Sequence, residues 1–266
     1  MASEPTTADT SKGPAAEPAA ESRPIMELRE VSVAYHGDIS VLRGLSLGIR
    51  EGAITGIIGP NGAGKSTVLK TLYGFLQPSK GDIMLRGERV NGLPPYDFIN
   101  RGVAYVPQNR SLFNELSVED NLRLGCWAFR KDKRRMAKAL EIAYEHFPLL
   151  KERRNEPAGS MSGGQQRFLE LGRSLAIEPS LILLDEPTAM IAPRLSREIY
   201  DVIQALPEAG ITVVLVDQNV RQCAAVSDYM YVLDLGRVRA EGNRAEFGDD
   251  TQLRDMISEW LDYQID

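Results

Sequence analysis

Apolar residues along this chain recur in two rhythms. From Met26 to Val33 apolar and polar side chains alternate, the period of a strand with one face buried, and Leu45-Ser-Leu-Gly-Ile continues it. Ala53-Ile-Thr-Gly-Ile-Ile is apolar almost throughout, which fits a strand covered on both faces. Val103-Ala-Tyr-Val, Leu181-Ile-Leu-Leu and Ile211-Thr-Val-Val-Leu-Val read the same way. Between these runs the spacing turns helical, first at Val68, Leu69 and Leu72 behind a glycine-rich turn. Buried strands alternating with helices predict an α/β fold around a parallel sheet. From about Ser117 to Leu175 no strand pattern appears. Met136, Leu140, Ala143 and Phe147 recur there at helical spacing, so a helical subdomain is expected to interrupt the α/β core.

Composition sharpens the ends of the chain and the class. Residues 1–24 are rich in Ala, Pro, Glu, Ser and Thr and hold too little apolar surface to offset ordering entropy, which predicts a disordered tail. Order is expected from Ile25. Residues 247–266 contain an amphipathic stretch from Leu253 to Leu261, with Met256, Ile257 and Trp260, read as a short helix packed on its own domain. With 43% hydrophobic and 26% charged residues, the 266-residue chain is of ordinary globular composition. Its net charge of −6 argues against general nucleic-acid affinity. No apolar run approaches the ~18 residues a membrane span requires. The start, Met1-Ala-Ser-Glu-Pro-Thr-Thr, has neither the basic nor the apolar region of a secretory signal. The two cysteines, Cys126 and Cys223, are read as free thiols, and His36 and His146 stand too isolated for a zinc site. Phe129-Arg-Lys-Asp-Lys-Arg-Arg is a basic cluster, read as a solvated helix start.

Chemistry enters at Gly59-Pro60-Asn61-Gly62-Ala63-Gly64-Lys65-Ser66-Thr67. It follows a buried strand and opens a helix, the context that defines a phosphate-binding P-loop. Its glycines let several backbone N–H groups point at one anion, and the helix N-terminus adds its positive end. Lys65 is placed to reach the β- and γ-phosphates of ATP, Ser66 to offer a hydroxyl to Mg²⁺, and Thr67 to contact phosphate. Asp185 and Glu186 end the apolar strand run Leu181-Ile-Leu-Leu. A carboxylate there needs a cation or donors to meet it. Beside a P-loop, Asp185 is expected to hold Mg²⁺ and Glu186 to polarise the water that attacks the γ-phosphate.

Ser160-Met-Ser-Gly-Gly-Gln-Gln resembles the Leu-Ser-Gly-Gly-Gln signature of ATP-binding cassette (ABC) ATPases, with Met161 in place of leucine. Ser162, Gly163, Gly164 and Gln165 open a helix and so form a second anion site at a helix N-terminus. Duplication makes sense if each ATP is clamped between the P-loop of one subunit and the signature of another. The resemblance covers roughly residues 25–246 and implies the P-loop NTPase fold of ABC ATPases. That fold has a parallel-sheet core, an antiparallel β subdomain and an inserted helical subdomain at about 109–175. It further implies that Tyr35 stacks on adenine. Gln108, in Tyr-Val-Pro-Gln, resembles the Q-loop glutamine that touches Mg²⁺ or the attacking water and links the core to the helical subdomain.

Two departures narrow the family. Where most ABC ATPases carry a histidine against the γ-phosphate, this chain reads Leu215-Val-Asp-Gln-Asn, so Gln218 holds the position. Glutamine still donates a hydrogen bond but does not titrate near neutral pH. The D-loop, commonly Ser-Gly-Leu-Asp-Pro, is Ala189-Met-Ile-Ala-Pro, with Ala192 in place of the aspartate. These features resemble one of the two ATPase subunits of branched-chain amino acid importers, the LivF type, and urea and short-chain amide importers use closely similar ATPases. The resemblance implies several partners: a second ABC ATPase subunit, in a heterodimer or a homodimer, two transmembrane permease subunits and, indirectly, an external solute-binding protein. It places the chain on the cytoplasmic face of the membrane, with the Arg110 to Leu124 surface meeting a permease helix. Nucleic acid is not expected as a partner. A non-transport ABC protein and a nucleotide-dependent regulator with little turnover are the competing classes. The first lacks support from any coiled-coil insertion or second cassette, and the second is opposed by the presence of Glu186.

Overall fold

The structure, a computed structural model, describes residues 24–35 and 39–247. The expected N-terminal tail up to Arg23, His36 and the C-terminal helix with Met256, Ile257 and Trp260 lie outside the described residues.

The elements follow in order. Strands β1 (Met26–Tyr35), β2 (Ile39–Ile49) and β3 (Ile54–Ile58) lead into helix α1 (Lys65–Leu72). Then come β4 (Lys80–Leu85), β5 (Glu88–Arg89), α2 (Pro95–Asn100) and β6 (Val103–Val106). Four helices follow without a strand between them: α3 (Val118–Gly125), α4 (Lys133–His146), α5 (Pro148–Glu152) and α6 (Gly163–Leu175). The chain returns to the core with β7 (Leu181–Asp185), α7 (Pro193–Ala205), β8 (Thr212–Val216), α8 (Val220–Val226), β9 (Tyr229–Asp234) and β10 (Arg237–Asn243).

Two sheets result. One is antiparallel, in the order β2-β1-β4-β5. The other has the order β10-β9-β3-β8-β7-β6, parallel throughout except for β10, which returns against β9. The apolar runs are explained by a core on each face of the six-stranded sheet. Along β7, Leu181 and Leu183 join the core under the antiparallel sheet and α1, whereas Ile182 and Leu184 join the core under the helices. In β8, Val214 and Val216 take the first side, Val213 and Leu215 the second. A strand with both neighbours paired and both faces covered is apolar at most positions, Thr55 and Thr212 being buried exceptions, so alternation vanishes from its sequence.

The helices between β6 and β7 are bounded by local chemistry. Ser117 caps α3 by accepting from Asp120 N, and Asp132 caps α4 by accepting from Arg134 N and Arg135 N. The cap at Asp132 sits inside the basic cluster, whose Arg130 lies over the Trp127 ring and whose Arg135 lies over the Phe129 ring. The face of α4 that carries Ala139, Ala143 and Tyr144 is buried, and Phe147 just beyond it stacks on Phe168 of α6. Strand β9 went unread in the sequence. Its run, Tyr-Met-Tyr-Val-Leu-Asp, pairs with β3 and brings Leu233 behind the phosphate-binding loop.

Candidate functional site

Four parallel strands, β3, β6, β7 and β8, end on the same edge of the sheet, and each hands over to a loop carrying one of the candidate residues. This is the edge where open α/β sheets bind ligands, since loops leaving adjacent parallel strands converge there.

The loop after β3 is bent by glycine. Gly62 and Gly64 have φ of 81° and 102°, and a Cβ on Gly59 would fall 2.2 Å from the Leu233 carbonyl oxygen. Asn61 and Gly62 face the same surface depression as Gly64, Lys65, Ser66, Thr67, Tyr35 and Glu186. Pro60 and Ala63 close the turn beneath it, through Ala63 N donating to Pro60 O at 3.2 Å. Tyr35, at the end of β1, sets its hydroxyl 3.4 Å from Thr67 Oγ1, so its ring stands beside the cradle. Lys65 is buried and donates from Nζ to the carbonyls of Gly59 and Pro60, at 2.8 and 2.9 Å. Burial lowers its pKa, while Glu186 and Asp185 act in the opposite direction.

Asp185 closes β7 at 2% exposure. Its Oδ1 accepts from Ser66 Oγ at 2.9 Å and its Oδ2 from the Tyr105 hydroxyl at 3.1 Å. The Tyr105 phenol is pushed up far, by burial first and by the Asp185 charge second, so it remains a donor at any physiological pH. Glu186 follows with a left-handed backbone, φ 49°, and its N–H donates to Val216 O at 2.7 Å. Its Oε2 accepts from Gln108 Nε2 at 2.5 Å and from Gln218 Nε2 at 2.8 Å. The loops after β6, β7 and β8 are thus tied together through one carboxylate oxygen. Gln218 is aimed by its neighbour Asp217, whose Oδ2 accepts from Thr188 Oγ1 and whose Oδ1 accepts from Asn219 N.

Ser162 and Gln165 form a reciprocal capping box on α6. Gln165 N donates to Ser162 Oγ, and Ser162 N donates to Gln165 Oε1. Arg110 lies against Gly163, and Gly164 packs on Leu195 and Ile191. Among the described residues, none of the hydrogen bonds of this signature segment reaches the phosphate loop. Sequence reasoning therefore picked residues that converge at one strand edge, plus a second cluster on the helical insertion. It passed over Tyr105, Thr188, Asp217 and Arg167. Tyr105 carries the one polar tip in an apolar strand, and Asp217 is a carboxylate directly behind β8, a signal of the same kind as Asp185 behind β7.

Fold and site define a P-loop nucleoside-triphosphatase. The family described as ABC transporter matches residues 42–189. The branched-chain amino acid transport ATP-binding protein BraG of Pseudomonas aeruginosa is 41% identical over 223 residues, 83% of this chain and 94% of BraG. A probable LivF of Archaeoglobus fulgidus is 34% identical, over 82% of this chain and 93% of that protein. The lipopolysaccharide export protein LptB of Escherichia coli is also 34% identical, over 85% and 93% of the two chains. Among solved structures, a nucleotide-free ATP-binding cassette from an ABC transporter superposes with a TM-score of 0.78 at 26% identity, covering 91% of this chain and 99% of that one. A cassette in a dimeric post-hydrolysis state, bound to ADP and Pi, superposes with a TM-score of 0.72 at 27% identity, covering 82% and 98%. This chain belongs to the ABC transporter family, as an ATP-binding cassette that hydrolyses ATP. Among its described residues no helix is long and apolar enough to cross a membrane.

Proposed function

We propose that this chain is the ATP-hydrolysing subunit of an importer of branched-chain amino acids. The observation that carries this is the match to BraG along nearly the whole of both cassettes. Gln218, in place of the usual histidine, supports the same subfamily.

In this reading residues 25–246 are the ATPase domain, with residues 109–175 as its helical subdomain. Tyr35 stacks on adenine, and the amides from Gly59 to Gly64 with Lys65 and Thr67 take the phosphates. Lys65, now held by two loop carbonyls, exchanges them for phosphate oxygens, a stronger pairing for a partly desolvated ammonium. The donor set beside it fits Mg²⁺: the Ser66 hydroxyl and the Asp185 carboxylate are hard oxygens 2.9 Å apart, and Gln108 adds a side-chain amide oxygen. When bound, Mg²⁺ neutralises phosphate charge. Glu186 accepts the proton of the attacking water, and Gln218 turns its amide from Glu186 to a γ-phosphate oxygen. Ser162, Gly163, Gly164 and Gln165 serve the ATP held by the second cassette. Support comes from their separation from this chain's own cradle and from the dimeric relative.

The partners in this reading are a second ATPase subunit, two permease subunits and an external solute-binding protein, with the chain on the cytoplasmic face of the membrane. Exposed Phe113 and Leu116, on the segment that follows Gln108, support a docking place for a permease helix within residues 110–124. The test is co-expression with the permease subunits and reconstitution into vesicles. Co-purification is expected, with ATPase activity stimulated by binding protein loaded with leucine, isoleucine or valine. Stimulation by a urea- or amide-loaded binding protein instead overturns the substrate, and failure to associate with any permease overturns the importer.

A further inference from the structure

The guanidinium of Arg167 is 5% exposed and uses all five of its N–H groups. Nε donates to Pro187 O at 3.0 Å. Nη1 donates to Pro107 O at 2.8 Å and to Glu170 Oε2 at 2.9 Å. Nη2 donates to Gln108 O at 3.2 Å and to Glu186 O at 3.1 Å. Glu170, 1% exposed, uses its other oxygen, Oε1, to accept from Ser111 N at 2.6 Å and Ser111 Oγ at 3.3 Å. One buried pair on α6 therefore grips the loop after β6 at both ends, at Pro107–Gln108 and at Ser111. The same pair holds the two peptide carbonyls that follow β7.

Both amides that meet Glu186 Oε2 are placed by loops, and two of the three loops concerned are held by this pair. Glu186 itself occupies left-handed backbone, which a residue with a Cβ keeps only when its surroundings over-determine it. Its N–H is held by Val216 O and its carbonyl by Arg167 Nη2, which fixes the peptide on either side of the strained φ. A lysine cannot replace this arrangement, because one ammonium carries three donors from a single point, not five in a planar fork.

We propose that Arg167 and Glu170 are positioning residues for hydrolysis. They set the backbone of Glu186 and the approach of Gln108, and they make the attitude of the signature helix felt at the catalytic carboxylate. Neither touches nucleotide. The proposal rests on the reading of Glu186 as the base. A rotation of α6 changes the pull on the Gln108 and Glu186 carbonyls together, so the helical insertion and the hydrolytic centre move as one unit.

The test compares Arg167→Lys, Arg167→Ala and Glu170→Gln with wild type in the full-length chain, measuring kcat, ATP affinity and thermal midpoint, with Glu186→Gln as the control. The cradle for ATP shares no hydrogen bond with Arg167, so ATP affinity should stay within about threefold, while misplacing the base should lower kcat by about tenfold to a hundredfold. Guanidinium ion added at millimolar concentration should recover part of the kcat lost in Arg167→Ala and none of that lost in Glu186→Gln. If Arg167→Ala does not fold, the lysine and Glu170→Gln variants carry the same kcat-against-affinity split. Unchanged kcat in folded Arg167→Lys and Glu170→Gln overturns the proposal. So does a loss of kcat matched by equal losses of ATP affinity and thermal midpoint, with no rescue. Normal turnover in Glu186→Gln would instead remove the base on which the proposal stands.

Discussion

The side-chain amide of Gln218 donates to Glu186 Oε2 at 2.8 Å, joining the loop after β8 to the carboxylate after β7. The amide is a neutral donor and carries no group that titrates near neutral pH. The expected consequence is a turnover rate without a titration step from this position between about pH 6 and 8. Gln218→His should introduce one. The Glu186 carboxylate raises the imidazole pKa above its usual value of about 6.5, and the imidazolium formed below it pairs with the carboxylate and weakens it as a base. The rate of the variant should therefore fall as pH drops through that raised pKa, read from ATPase pH profiles of both proteins.

Glu186→Gln keeps the shape of the side chain and removes its capacity to take a proton. Loss of a general base should lower kcat by about 10²–10⁴-fold. Binding of ATP should persist, because Lys65 and the loop amides are untouched, and equilibrium binding of a fluorescent ATP analogue checks it.

Met190 has φ 58°, the left-handed region, and its side chain is fully exposed. It stands in the D-loop where the common motif has glycine. Met190→Gly removes a clash between Cβ and carbonyl and gives up no packing within the chain. It should stabilise the folded chain by about 1 kcal/mol, seen as a higher denaturant midpoint with an unchanged slope.

Cys126 and Cys223 are fully buried, and burial pushes their thiols up to about 11 and about 12. The thiolate is the reactive form, so an aromatic disulfide reagent at about pH 8 should label neither in the folded protein and both once denaturant is added. Release of the chromophore against denaturant concentration should track the loss of secondary structure.

The parallel core was legible because both of its faces are dry. Ile54 to Ile58, Leu181 to Leu184 and Thr212 to Val216 pack into two cores, and such strands write themselves as apolar runs. Strand β9 escaped notice because its tyrosines interrupt the run. Tyr231 spends its hydroxyl on Gly48, accepting from its N–H and donating to its carbonyl, a satisfaction visible only across 183 positions of sequence separation.

Local chemistry determined the phosphate loop, the acidic strand end and the capped signature turn, because each works through neighbours a few residues apart: a glycine turn before a helix, a carboxylate behind a strand, a serine three residues before glutamine. Tertiary structure alone decided that Gln108, Glu186 and Gln218 share one oxygen, that Tyr105 completes Asp185, and that Arg167 spends four of its five donors on two distant loops. These contacts arise where loops from separate parallel strands converge at one sheet edge. Their partners are backbone carbonyls and shared lone pairs, which leave no mark in residue type or spacing.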